Sequence, residues 1–179
     1  MRKTIILSLF LIINLNLIAQ EINREGYFNI SKLGILVRMN ETPATTGLSS
    51  NGNGTEISTL NGWNFNSHLA AGIGVGISTY VNPTITTIPV YADIRYYLKE
   101  TRKTPYVFSN LGYGIVITDN REGDILFEAG AGWLLRLGKK TSLTPEIAYR
   151  HQEYKILFNA TDKIEAEVNS ISVGIGINF

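Results

Sequence analysis

From residue 27 onward the chain alternates apolar with small or polar residues at a period of two, the repeat of an extended strand and not of a helix. Across 69–81 the odd positions are Leu69, Ala71, Ile73, Val75, Ile77, Thr79 and Val81. The even positions are Ala70, Gly72, Gly74, Gly76, Ser78 and Tyr80. One face is aliphatic and the other is small. Alternation of this kind, broken by clusters of Gly, Pro, Asn, Asp and Ser, predicts eight strands, over 27–40, 55–64, 69–81, 89–99, 106–119, 124–137, 143–157 and 168–179. The second alternates least clearly.

Glycines at alternate positions recur on four of these segments: Gly72, Gly74 and Gly76; Gly112 and Gly114; Gly130 and Gly132; Gly174 and Gly176. These nine of the chain's 17 glycines place small residues on one face of each strand. Short connections fall at 66–68, 100–105 and 138–142. Longer ones fall at 41–54, 82–88 and 158–167, with a tight NREG at 120–123 as the exception. Pro145 is expected at the rim of the sheet, with the regular ladder beginning just beyond it, because proline cannot donate to a ladder.

The two faces keep their character through the later strands. Val90, Ala92, Ile94 and Tyr96 oppose Tyr91, Asp93, Arg95 and Tyr97; Ile171, Val173, Ile175 and Ile177 oppose Ser170, Ser172, Gly174 and Gly176. Two closed barrels fit this pattern. A soluble, lipocalin-like periplasmic barrel would turn its aliphatic face inward around a ligand. A membrane barrel would turn it toward lipid and fill its interior with the charged face. Three features favour the membrane. A narrow eight-stranded interior needs small residues beside large ones. Polar aromatics (Trp63, Tyr96, Tyr106, Tyr149) fall near the predicted strand ends, where interfacial belts form. The apolar stretches also match the 9–11 residues of a tilted spanning strand. The expected fold is therefore all-β, an eight-stranded antiparallel up-and-down transmembrane β-barrel, with both termini periplasmic.

On this reading the inward charges are Lys32, Arg38, Asp93, Arg95, Glu128, Arg136, Glu146 and Arg150, five positive and three negative. In a narrow lumen of low dielectric they are expected to interlock as ion pairs and plug the barrel. A slender pore would instead exploit the positive excess to favour anions. The small inward face of 70–80 is expected to make room for aromatics such as Tyr91, Tyr97 or Phe108.

Composition places this barrel. Arg2 and Lys3 precede the apolar run IILSLFLIINLNLIA, which reads as a secretory signal peptide over 1–19, leaving 20–179 as one outer-membrane domain. Losing Arg2 and Lys3 moves the formal charge from +1 to −1, which offers no footprint for nucleic acid. The chain has no cysteine, so there is neither a disulfide framework nor a thiolate metal site.

The last segment, SVGIGINF, carries Ser172, Gly174, Ile177 and Phe179 in the polar–glycine–apolar–aromatic order of the terminal signal of outer-membrane barrels. With GVGISTY, PVYADIRYYL and PYVFSNLGYG, the chain resembles the small eight-stranded outer-membrane proteins of Gram-negative bacteria, the OmpX and OmpA-barrel type within the porin-like outer-membrane barrel families. The resemblance implies contact with outer-membrane lipid and insertion by the barrel-assembly machinery. It implies no cofactor.

Catalytic chemistry finds little support. GIGVG is no dinucleotide fingerprint, since Gly76 falls one position early and no helix follows. His151-Gln152-Glu153 lacks the His-x-Ser arrangement of outer-membrane lipid A deacylases, and the other histidine, His68, sits in a predicted turn. No His or Cys cluster has metal-ligand spacing. The expected role is non-enzymatic: structural, or interactive through loops 41–54 and 158–167 meeting a surface partner. A small-solute or apolar-molecule pore is the rival.

Overall fold

The computed structural model describes residues 24–42, 52–81, 84–118, 121–138, 141–157 and 163–179. The expected signal peptide lies outside them. Eight strands form the molecule: β1 (Gly26–Thr42), β2 (Gly54–Asn64), β3 (Leu69–Tyr80), β4 (Ile85–Tyr97), β5 (Lys103–Val116), β6 (Arg121–Arg136), β7 (Ser142–Leu157) and β8 (Lys163–Asn178). Each pairs antiparallel with its chain neighbours, and β1 pairs with β8 to close an up-and-down barrel. Closure leaves no sheet edge, so every strand finds backbone partners on both sides.

The weakly alternating second segment is a full strand, paired with β1 from Gly26↔Asn64 to Leu36↔Gly54. Two expected loops are shorter than the sequence suggests. β8 begins at Lys163, so 163–167 are strand, not loop, and β4 begins at Ile85, which takes up most of NPTITTI. In both places the ladder outruns the turn-rich composition, because a neighbouring strand supplies partners that local propensity cannot register.

Proline sits deeper than expected. Pro145 is the fourth residue of β7 and pairs with Ile175. Opposite β6 the register passes from Gly132↔Glu146 to Leu135↔Leu143, skipping it. Pro89 lies inside β4, paired with Gly114, while the β3 side passes from Val75↔Val90 to Ser78↔Thr87. Each proline interrupts the ladder on one side only, which lets a closed sheet tolerate it.

The outer face is a belt of exposed aliphatics, among them Ile35, Ile73, Val75, Ile94, Leu111, Ile147 and Val173. Tyr27, Trp63, Tyr96, Trp133 and Phe179 ring its lower edge, beside the short turns. We call this the turn end and the opposite rim the loop end. Tyr106 departs from the expected aromatic belt: it is buried in the lumen, against Tyr97 and Phe108. Inside, an aromatic cluster of Phe28, Leu60, Tyr91, Tyr97, Tyr106 and Phe108 fills the turn-end half. Leu36, Tyr80, Ile85, Tyr154 and Val168 pack together nearer the loop end.

Candidate functional site

The charged side chains of the lumen belong to five strands, and each is inward because it sits in phase with the small or aromatic positions of its strand. Lys32 is the hub. Its Nζ lies 3.4 Å from Glu128, 3.5 Å from Glu146 and 3.6 Å from Glu56. On one side, Arg95 bonds Asp93 and Glu146 at 2.8 Å each, and Tyr106 donates its hydroxyl to the same Glu146 carboxylate at 2.6 Å. On the other, Arg150 bonds Glu56 and lies 3.9 Å from Glu128, its cross-strand neighbour. Arg95 also lies over the rings of Tyr106 and Phe108 at 5.3 and 5.2 Å, a cation–π contact that ties the ionic layer to the aromatic cluster.

Glu56 is the member the sequence pattern missed, because β2 alternates poorly. Its signal was register: Glu56 is in phase with Gly54, Ser58 and Leu60 on the inward face. Two of the expected members lie elsewhere. Arg136 sits at the turn-end mouth, half-buried beside Ser142. Arg38 is buried toward the loop end, with its guanidinium 5.1 Å above the ring of Tyr80. The interlocked layer therefore holds three cations (Lys32, Arg95, Arg150) and four carboxylates (Glu56, Asp93, Glu128, Glu146). The positive excess counted from sequence is not present in it. Burying such charges is tolerable only because each faces an opposite charge.

The alternating glycines serve this filling one by one. A Cβ on Gly74 would meet the Tyr91 ring at 2.3 Å, and one on Gly132 would meet Tyr106 at 2.6 Å. Gly174 lies under the Lys32 stem, and Gly114 under Thr87 and Gln152. Gly112 backs Tyr91, Gly130 packs on Ala148, and Gly176 on Thr144 and Ile30. Gly72 and Gly76 instead crowd β2, near Leu60 and Ser58, while Ala70 on the same face belongs to the cluster of Tyr97 and Phe108. At the end of β8, Ser172 is buried inward, whereas Ile177 and Phe179 are exposed on the outer face.

Where charged side chains reappear on the outer face, near the loop end, the apolar belt stops. Lys155 bonds Asp124 at 2.7 Å. His151 Nδ1 faces Asn169 Oδ1 at 2.8 Å, and Nε2 faces Glu153 at 3.1 Å. Both partners are acceptors, so both bonds form fully only when both ring nitrogens carry protons. His68 lies at the turn end, 3.3 Å from Glu100. Among the described residues, no cluster of three or more His, Asp or Glu side chains has metal-binding geometry.

No protein-family model and no curated protein matches the sequence. Solved structures do share its fold. The chain is similar to Neisserial surface protein A (TM-score 0.57, 12% identity, 87% of this chain and 100% of that one). It is also similar to the outer membrane protein OprG from Pseudomonas aeruginosa (0.55, 11%, 87% and 96%) and to the outer membrane enzyme PagL (0.53, 9%, 81% and 97%). At these identities the likeness is one of fold: an eight-stranded outer-membrane-type barrel.

Proposed function

We propose that this chain is an integral outer-membrane barrel whose task is structural or interactive, carried out by its surfaces with its lumen closed. The observation that carries this reading is the filling of the interior. An aromatic cluster, the ionic layer around Lys32 and a second cluster around Tyr80 follow one another along the axis. An eight-stranded barrel has room for little beyond its own side chains, and a buried layer of interlocked charges offers an ion no hydrated path.

The outer belt supports the location. Exposed Ile, Val and Leu on all strands, bordered by Trp and Tyr, suit hydrocarbon and would be an aggregation hazard in water. The rival soluble binder would need its aliphatic face turned inward. What is left to meet a partner is the loop end, where Glu122, Asp124, Glu153, Glu165 and Glu167 make an acidic rim.

Planar-bilayer recording tests the closed lumen, and gel mobility before and after boiling tests the barrel itself. The expected result is a heat-modifiable barrel that leaves the bilayer silent. Steady conductance that changes on Glu128→Gln would overturn the closed reading in favour of a pore. Recovery in the soluble fraction without detergent would overturn the membrane reading.

A further inference from the structure

Below Tyr97 and Leu134 the lumen opens at the turn end into a cavity of 440 Å³, bordered by Arg24, Arg136, Asn64 and Ser142. None of these four belongs to the ionic layer. Arg24 is held rigidly: its guanidinium donates to the carbonyls of Ser67 (2.7 Å), Lys99 (3.0 Å) and Thr101 (2.5 Å), and it lies over the Tyr97 ring at 5.0 Å. Carbonyl oxygens orient this cation without neutralising it. Across the mouth, the Nε of Arg136 is buried without a hydrogen bond, and no carboxylate among the described residues lies at ion-pair distance from it. Glu25 also borders the cavity, and Glu100 in the adjoining turn is a second carboxylate near Arg24, so Arg136 is the guanidinium left to an incoming anion.

Asn64 makes this more than a basic mouth. It is 7% exposed; its Nδ2 donates to the Gly26 carbonyl at 3.2 Å, which fixes the amide orientation, and its Oδ1 has no hydrogen-bond partner. A buried acceptor without a donor is costly, so its place beside a cavity marks where a donor is missing. The cavity thus asks for two things at once: an oxyanion for Arg136 and the Ser142 hydroxyl, and an N–H or O–H donor for Asn64. Its lining continues past the rim to Tyr27, Asn29 and Phe179 on the outer face, so it is also reachable from the lipid-facing side.

We infer that the turn-end mouth binds a phosphoester bearing an adjacent ammonium, the chemistry of a phosphoethanolamine group. The phosphate faces Arg136 and the N–H donors face Asn64 Oδ1. Such a group comes either from a lipid whose acyl chains stay on the outer face or from a soluble ester in the periplasm.

Titration of the protein purified in detergent, followed by calorimetry and native mass spectrometry, tests this with three probes. Phosphatidylethanolamine represents the lipid, glycerophosphoethanolamine the soluble source, and phosphatidylcholine the same phosphate without an N–H donor. The expected result is one saturable site, at least about tenfold weaker for phosphatidylcholine, the value of one hydrogen bond to a charged group. Asn64→Leu should abolish that preference, Arg136→Gln should weaken binding about tenfold, and Arg102→Gln, on an exposed turn, should change nothing. Heat-modified gel mobility confirms that each variant is folded, and Asn64→Ala, with the same expected loss of preference, serves if Asn64→Leu is not. Binding of the lipid alone assigns the lipid source, and binding of both probes assigns the soluble one. No saturable binding of either ethanolamine probe, or binding unaltered by Arg136→Gln, overturns the inference.

Discussion

The Tyr91 ring lies over Gly74 with no space for a side chain between them: a Cβ on Gly74 would stand 2.3 Å from the ring. Tyr91 is also backed by Gly112 of β5, where a Cβ would stand 2.7 Å from its own Cβ. Two glycines on flanking strands therefore make the slot for one aromatic. Gly74→Ala is expected to destabilise the barrel by about 1–3 kcal/mol through overpacking. Tyr91→Leu in the same chain should recover part of that loss. Urea unfolding in detergent or lipid measures both.

Lys32 faces three carboxylates, whereas Arg136 faces none at ion-pair distance among the described residues. Lys32→Met leaves Glu56, Glu128 and Glu146 short of a shared cation and is expected to lower stability by about 3–5 kcal/mol. Arg136→Gln, at the half-open mouth, should shift the same unfolding midpoint by less than about 1 kcal/mol. Equal losses would mean that the ionic layer is not the unit that holds the lumen together.

The outer belt can be tested at one outward side chain in the middle of a strand. Val75 lies at the middle of β3, outward and 43% exposed. Val75→Lys is expected to cost about 2–4 kcal/mol if that face meets the bilayer midplane, and close to nothing if it meets water. Folding into lipid vesicles gives the number directly.

The period-two alternation gave the eight strands and their two faces, and the small residues, aromatic positions and strand lengths decided which face is inward. A strand's side-chain direction is fixed by local backbone geometry, so it can be read wherever the pattern is unbroken. It failed where that local signal was faint or overridden. Strand β2 hid Glu56, partner strands extended β4 and β8 into turn-like sequence, and the ladder closed around Pro89 and Pro145.

Which inward residues meet is a different question, since contacts across the lumen depend on strand tilt and stagger, which no single segment encodes. Only the closed structure brings Lys32 to Glu56, Glu128 and Glu146, leaves Arg38 and Arg136 at opposite ends, and brings the Tyr106 hydroxyl onto Glu146. The sequence alone determined the faces of the wall. The tertiary structure decided the pairing inside it, because pairing is set by distances across the barrel and not along the chain.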